Sequence, residues 1–551
     1  MEPVIVVGAG PVGLALALAL ARHEVPSVLL DGGDGTAVPR PARTCVLRPD
    51  TAALAQRLAG AAELSGTHWR VWRTLRRRQT VHQVDFAPGA APFHLAQHTL
   101  TAALADAARR SELIEVVPGQ RLTELEQLPG GVRARTAGGP GATWSGSYLV
   151  GCDGARSTVR KLLGVRFPGR TSVERRAVAT VRTVLPWPEE ALLHRDLPGV
   201  GGEVSARSLP GDRWRLDWRL PPRGDLVTPD ALIDRVQRTL SAWSDAAPGA
   251  YELLDTGVHT AHQRIARHWR DGRAFLAGDA ARLLGALGTQ SVEEGLRDAD
   301  NLAWKLALVW RGTAPEALLD SYEAERRGAS VARLRALDQA LPLVQGGGAL
   351  RSLLPGGRGP LGLLTDGHVG TGPLGAPGAY PRSPLTPGQA VAGIGTAPGA
   401  IVDDVPVTPP GGARQRLRQR LGRGLLVVLV APGAGVWESR HWMHAGVMPR
   451  LAAAVRGLPL PAELLVAEAY PGAVAHTCLL VRPDGHLAAA LPGVDPDALH
   501  ACATAVAALD APDPDPHPDA DPAPSQTPDT SNATAADGAG DAVGARRPPR
   551  D

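Results

Sequence analysis

The chain has 551 residues, 44% of them apolar, with 58 basic and 55 acidic side chains and a net charge of +3. That length exceeds one hydrophobic core and implies two to four domains, and the charge balance argues against nucleic acid or another polyanion as a partner. No charge-free run approaches a bilayer span, the N-terminus lacks the flanks of a leader peptide, and Cys45, Cys152, Cys478 and Cys502 are too scattered for a disulfide framework or a zinc site, so a reducing cytoplasm is the expected compartment.

Residues 3–7, "PVIVV", predict a short buried parallel strand. "GAGPVG" and the helical "LALALALAR" follow, and "SVLLD" at 27–31 predicts a second strand, which completes a βαβ unit. Gly8, Gly10 and Gly13 make G-x-G-x-x-G in its turn, and Asp31 ends the second strand, about twenty residues on, where a dinucleotide fingerprint places an acid. The first glycine permits the tight turn, the second lets a pyrophosphate approach the backbone, and the third lets helix and strand pack closely. Free amides at the helix start face the phosphates, and Asp31 accepts from a ribose hydroxyl. The pattern does not separate NAD from FAD.

Further along, residues 67–96 alternate Arg, Trp, Val and Thr, which predicts antiparallel strands, and "HTLTAALADAARR" at 98–110 predicts a helix. "GSYLVGCDGARSTVRKLLG" reads as strand, turn and helix, with Asp153, Gly154, Arg156, Ser157 and Arg160 at one helix start. Residues 176–265 again mostly alternate. Trp69, Trp72, Trp214 and Trp218 lie in these stretches, either as sheet-face core or as the wall of an aromatic pocket. "RAFLAGDAA" is strand into loop, with Gly278-Asp279 followed by small, mostly uncharged residues. Helix follows over 292–311 and through "EALLDSYEAERRGASVARLRALDQAL". The Gly- and Pro-rich residues 345–395 predict a linker. "RGLLVVLVAPG" at 423–433 opens a separate small α/β unit, continued by "AELLVAEAY" and by a hairpin around Pro483-Asp484-Gly485. His441 and His444 have no carboxylate partner and read as a surface loop. From Pro512 the chain has no Leu, Ile or Phe and is expected to be disordered.

Three segments together, the N-terminal fingerprint, "LVGCDGARSTVRKLLGV" at 149–165 and "FLAGDAARLLGALGTQSVEEGLRDADNLAWKLALV" at 275–309, resemble the FAD-dependent aromatic hydroxylases. These are the single-component flavoprotein monooxygenases, and the similar branch is the phenol and polyketide hydroxylases with a C-terminal thioredoxin-like domain. The resemblance covers residues 1–345 well and 397–510 more loosely. It implies an α/β fold with a discontinuous Rossmann-like FAD-binding domain (1–66, 97–175, 266–345). A mixed or antiparallel β-sheet substrate domain (67–96, 176–265) is inserted in it. A linker (346–396), a thioredoxin-like domain (397–510) and a disordered tail (511–551) follow.

The resemblance also implies roles. Asp153 and Gly154 match a motif that serves both FAD and transient NADPH or NADH. Gly278 and Asp279 match the second flavin motif, whose carboxylate accepts from ribityl hydroxyls. The loop with Gly285, Ala286 and Gly288 is expected to run along the flavin edge, and the helix from about Val292 to aim its positive end at the ring. Arg43 matches an arginine that neutralises FAD phosphates, and Gln97 a glutamine near the flavin. Where the family commonly has His, a Pro pair, a Gly-Gly-Gln-Gly-like turn and Asn, this chain has Arg282, Gly285-Ala286, Gly288-Thr289-Gln290-Ser291 and Glu293. Arg282 and Glu293 are candidates to pair with each other.

The reaction implied is hydroxylation of an aromatic, phenolic or polyketide small molecule with NAD(P)H and O2 through a flavin C4a-hydroperoxide, by a monomer or homodimer without a membrane or nucleic-acid partner. A Baeyer–Villiger or epoxidising enzyme, or an FAD-binding protein without turnover, are the alternatives. No metal ligand and no catalytic base emerge; His82, His94 and His98 are merely near the expected sheet. The C-terminal unit lacks Cys-x-x-C, so thiol redox chemistry is not expected there.

Overall fold

The computed structural model describes residues 1–35, 39–60, 63–77, 79–87, 89–138, 142–220, 227–243, 250–285, 290–345, 376–387, 391, 393–433, 444 and 446–509. The tail 511–551, residues 346–375, 388–390 and 392 of the expected linker, Ala286, Gly288, Thr289 and His441 lie outside the described residues.

The β-branched run Val4–Val7 is the centre of a six-stranded sheet, and all four of its residues are buried. Strand order is Arg270–Asp271, Ala274–Leu276, Tyr148–Gly151, Val4–Val7, Ser27–Leu30, Ile114–Val117. The last five strands run parallel, and Arg270–Asp271 is an antiparallel edge. This order decides where the site lies. Gly8, Asp31, Cys152-Asp153 and Ala277-Gly278 each follow the carboxyl end of a strand, and the four strands are neighbours. Ligands of open α/β sheets bind in the crevice outside those ends.

A second, mixed sheet has eight strands, in the order Arg282–Leu284, Glu252–Ile265, Gly169–Arg182, Arg213–Leu220, Glu203–Leu209, Glu190–Arg195, Val71–Arg76, Gln79–Asp85. Alternation along Arg213–Leu220 puts Trp214, Leu216 and Trp218 on one face. There they are buried with Leu232, Val236 and Leu240 of the helix Pro229–Trp243. Trp218 Nε1 donates to Thr239 Oγ1 of that helix at 3.0 Å. Trp69 and Trp72 are buried in another cluster with Val46, Ala191 and Leu193. All four tryptophans are therefore core residues, and none lines the large cavity described below. The helix Pro229–Trp243 and the three-stranded sheet of Arg121–Leu128, Gly131–Ala137 and Thr143–Gly146 were not expected from the sequence. Strand Phe93–Ala96 pairs with Thr44–Leu47 in a separate small sheet and does not join the strands of 71–85.

The C-terminal residues form a four-stranded sheet in the order Ala462–Ala467, Leu425–Val430, Cys478–Val481, Leu487–Leu491, the first pair parallel and the rest antiparallel. Helices Met448–Arg456 and Pro496–Val506 pack on it. Residues Met1–Pro512 are one compact unit, and the described part of the expected linker is not loose. Tyr380 and Leu385 are buried, and Tyr380 stacks on His486 with ring centroids 4.3 Å apart.

A desolvated ion network ties the C-terminal hairpin to the rest. Arg482 donates to both oxygens of Glu325 (2.5 and 2.9 Å) and to Asp484 (2.5 and 3.1 Å). Glu325 also accepts from Lys305 at 2.7 Å, Asn301 at 2.8 Å and Ser383 at 2.5 Å. Arg482, Glu325 and Lys305 have no exposed side-chain surface. Burial pushes the Lys305 ammonium down to about 8, with Glu325 opposing the shift.

Candidate cofactor and substrate site

A cavity of about 1020 Å³ opens at the carboxyl edge of the parallel sheet and runs to the eight-stranded sheet. Gly8, Gly10, Asp31, Arg43, Gln97, Asp153, Gly154 and Asp279 all line it, and so do Gly285 and Ser291. The three glycine-bearing turns thus meet on one space. Gly13 and Gly278 do not line it and act behind it. A Cβ at Gly13 would stand 1.9 Å from the carbonyl oxygen of Gly8, so this glycine is needed for helix-to-strand packing. Gly278 has φ +63, and a Cβ there would press on Val12 of the first helix at 3.0 Å.

At the nucleotide end, the helix Pro11–Arg22 starts with Pro at its first turn, and no side chain caps it. Its early amides are left for a ligand. A Cβ at Gly10 would meet nothing within 4 Å, so the backbone there is open to close approach. Asp31 Oδ2 accepts from the Ala9 amide at 2.6 Å and Oδ1 from Gly33 at 2.7 Å, which fixes the carboxylate beside the turn. The Gln97 amide donates to the Arg43 carbonyl at 2.9 Å, so the small sheet holds these two residues together.

In the middle, Asp153 Oδ2 accepts from the amides of Thr158 and Val159 at 2.6 and 3.0 Å. Its Oδ1 is buried without a partner. An orphaned carboxylate oxygen at a cavity wall calls for a donor that the chain does not supply. Arg160 is buried and donates to the carbonyls of Ala280 (2.7 Å) and Ala155 (3.0 Å), so it fastens the second motif to the third.

At the far end, Asp279 accepts from Ser291 Oγ at the start of the helix Ser291–Trp310. Burial raises the Asp279 carboxyl, while Ser291 and Arg282 oppose the rise. Arg282 and Glu293 do not pair with each other. Arg282 binds Asp298, which also accepts from the Gly278 amide at 2.9 Å and from Arg326 at 2.8 Å. Glu293 pairs with Arg297 at 3.2 Å. The charge at Arg282 therefore fixes the Gly278 turn from behind through Asp298.

The eight-stranded sheet turns its other face to the cavity. Arg176, Val178, Arg207, Arg215, Asp217 and His259 stand on it, and Thr260 and His262 also border the cavity. Arg215 donates to both oxygens of Asp217 (3.0 and 2.8 Å), and Arg207 donates to Asp217 at 2.6 Å. Arg215 also donates to the Ala42 carbonyl at 2.8 Å, next to Arg43. The arginine pair holds the Asp217 carboxyl well below its ordinary range against the opposing effect of burial. The sequence reading missed this wall and also missed Ser291 and Asp298. The alternation in "RWRLDWRL" was a usable signal for the wall, because it separates Arg215 and Asp217 from the tryptophans. His94 is buried away from the cavity, its Nδ1 donating to the Ser208 carbonyl at 2.8 Å, and burial pushes its pKa down to about 3. Neither His82 nor His98 lines the cavity. Among the described residues no group of three His, Cys, Asp or Glu side chains could hold a metal ion.

These observations fit a dinucleotide flavin. They supply an open glycine turn at an uncapped helix start, an acid at each of three strand ends, an orphaned acceptor and an arginine, on a cavity at the top of the usual ligand-site range of about 300–1,000 Å³.

Comparison with known proteins gives the same direction. The family described as "FAD binding domain" matches residues 1–336. A dialkyldecalin synthase of Streptomyces rugosporus is 33% identical over 369 residues, 64% of this chain and 76% of that protein. A 6-methylpretetramide 4-monooxygenase of Streptomyces rimosus is 30% identical over 529 residues, 88% of this chain and 90% of that protein. A 3-(3-hydroxy-phenyl)propionate/3-hydroxycinnamic acid hydroxylase of Mycobacterium sp. (strain JLS) is 32% identical, and there the match covers 59% of this chain and 57% of the relative. Among solved structures, the OxyS anhydrotetracycline hydroxylase from Streptomyces rimosus superposes with a TM-score of 0.64 at 26% identity, over 92% of this chain and 98% of that one.

Proposed function

The chain belongs to the FAD-dependent aromatic hydroxylase family, and from that premise we propose that it hydroxylates a polycyclic phenol of polyketide type, with NADPH or NADH as the transient electron donor. It is an FAD-dependent monooxygenase. The observation that carries the substrate class is the match to the 6-methylpretetramide monooxygenase along nearly the whole chain.

The chemistry that bound FAD would supply is hydride acceptance from NAD(P)H and transfer of one oxygen atom of O2. The chain's own residues bind and orient it. Gly8, Gly10 and the start of the helix Pro11–Arg22 would hold the diphosphate, with Arg43 offsetting its charge. Asp31 would accept from the ribose, and Asp153 Oδ1 and Asp279 from cofactor hydroxyls. The start of the helix Ser291–Trp310 would place its positive end at the ring, where negative charge gathers on reduction. Gly285 has φ +63, a left-handed conformation that glycine adopts without strain. The substrate would lie between this end and the eight-stranded sheet.

Residues 397–510 read best as a thioredoxin-like unit, because a mixed four-stranded sheet flanked by helices supports that assignment. Its role is structural. Cys478 and Cys502 are buried, and burial pushes the Cys478 thiol up to about 12, far from a reactive thiolate. No helix among the described residues is long and apolar enough to cross a membrane.

The test is a visible spectrum of the purified protein and an NAD(P)H oxidation screen across phenols and naphthacene-type polyketides in labelled dioxygen. The reading expects yellow protein and a product carrying one labelled oxygen. Protein without flavin, or flavoprotein that none of these compounds stimulates, would overturn it.

A further inference from the structure

Arg43, the residue proposed for the FAD phosphates, is held from the eight-stranded sheet as well as from the flavin domain. It is exposed, it lines the cavity, and its charge is felt on both sides. Burial lowers the pKa of His259 on the sheet and raises that of Asp279, and Arg43 adds a smaller downward pull to each. The chain on either side of Arg43 is gripped by the sheet. Nη1 of Arg215 donates to the Ala42 carbonyl at 2.8 Å and to Thr44 Oγ1 at 3.0 Å, so one nitrogen bridges residue 43. Asp255 Oδ2 accepts from the Ala42 amide at 3.0 Å and from Arg40 Nε at 3.3 Å. Strand register explains why these groups converge. Asp255 stands across from Thr180, and Thr180 across from Arg215, so neighbouring strands place them in one row on one face.

A long arginine is a precise strut only when its plane is fixed, and Asp217 fixes it. Two residues on from Arg215 and so on the same face, Asp217 accepts from Nε at 3.0 Å and from Nη2 at 2.8 Å. This two-point pair sets the guanidinium plane and leaves Nη1 aimed at residues 42–44. Arg215 is 8% exposed and Asp217 3%, so these bonds act in a low dielectric.

We propose that Arg215, oriented by Asp217, is a positioning residue for FAD, which acts through the backbone of residues 42–44 and holds Arg43 towards the cofactor's diphosphate. The inference deepens the FAD reading of Arg43 and rests on it. Ordering a loose segment on binding costs conformational entropy that opposes affinity. A segment already fixed at both flanks presents its charge in place, and the binding energy is kept. The cofactor site is thereby completed by strands that belong to the substrate side of the cavity.

A double-mutant cycle in the full-length chain tests this. FAD is titrated into each variant, and quenching of flavin fluorescence gives the affinity. Arg215→Met should weaken FAD binding about tenfold, and Arg43→Met at least as much. Because Arg215 acts through Arg43, the losses should not add: in the Arg43→Met background, Arg215→Met should cost less than about twofold more. Thr44→Val removes one of the two acceptors that flank Arg43 with little change of shape, and it carries the test should Arg215→Met fail to fold. It should weaken FAD binding about threefold in the wild type and leave it unchanged in Arg43→Met. A strut with a merely structural role would weaken binding by the same factor in both backgrounds. That result, or unchanged affinity in the folded flank variants, would overturn the proposal and leave Arg43 in the FAD site. Normal FAD affinity in Arg43→Met would overturn the reading of Arg43 itself, and the proposal with it.

Discussion

Replacing Arg482 by Met tests whether the C-terminal unit is a working part of the flavin domain. The substitution keeps much of the side-chain volume and removes four charge-assisted hydrogen bonds, two to Glu325 and two to Asp484. Both acceptors are buried, and Glu325 then keeps Lys305, Asn301 and Ser383 as partners. Removing one member of a buried ion pair costs about 3–5 kcal/mol, because the other charge is left desolvated. That is a large share of the roughly 5–15 kcal/mol by which a domain is stable. The effect should also reach the cofactor. The residue after Glu325 is Arg326, which donates to Asp298, and Asp298 in turn accepts from the Gly278 amide. FAD affinity is therefore expected to fall by about 0.5–2 kcal/mol, the usual size of coupling through packed networks. Urea unfolding of the apoprotein gives the first number, and quenching of flavin fluorescence during titration gives the second. A cycle with Glu325→Gln separates the pair from each residue alone. A stability loss under about 1 kcal/mol, typical of an exposed pair, would refute the argument.

Two glycine variants a few residues apart should behave oppositely. Gly13→Ala puts a methyl 1.9 Å from the Gly8 carbonyl and should yield little folded protein, whereas Gly10→Ala meets nothing within 4 Å and should leave apoprotein melting unchanged while weakening FAD binding at least about tenfold; equal expression and equal affinity would contradict both roles. Asp300 lines a cavity of about 30 Å³ with Asp50, Arg57 and Asp484, and burial raises its carboxyl to about 6, with Arg57 opposing. A carboxyl raised in the folded state contributes stability that is fully present below its unfolded value and is lost as pH rises through about 6. Asp300→Asn should therefore raise the melting temperature at pH 8 and have little effect near pH 4, a gain of about 1–2 kcal/mol after allowance for its partial exposure. A pH-independent change would remove Asp300 as the cause.

The sequence showed the parallel-sheet core clearly because its signals are local. A β-branched run, a glycine turn and an Ala-Leu helix sit side by side over residues 3–22, and the strand-turn segments at 148–154 and 274–279 repeat the pattern. What the sequence withheld depends on strand order and on faces. Arg282 lies near Glu293 in the chain, yet it binds Asp298, because the helix carries that residue back behind the Gly278 turn. Arg482 looks like a hairpin surface residue until folding places it on Glu325, 157 positions earlier. The four tryptophans follow the alternation that predicted strands. Which face is core was decided by the helix Pro229–Trp243, whose Leu232, Val236 and Leu240 recur at helical spacing inside a stretch read as strand.

The central claim is that one FAD spans the turns at residues 8–13, 153–157 and 278–291. Titrating apoprotein with FAD, for the wild type and for Asp279→Ala, tests it most directly. The account predicts one FAD per chain in the wild type and at least about tenfold weaker binding in the variant, with apoprotein melting little changed. A wild type that takes up no FAD, or a variant with normal FAD occupancy, would contradict it.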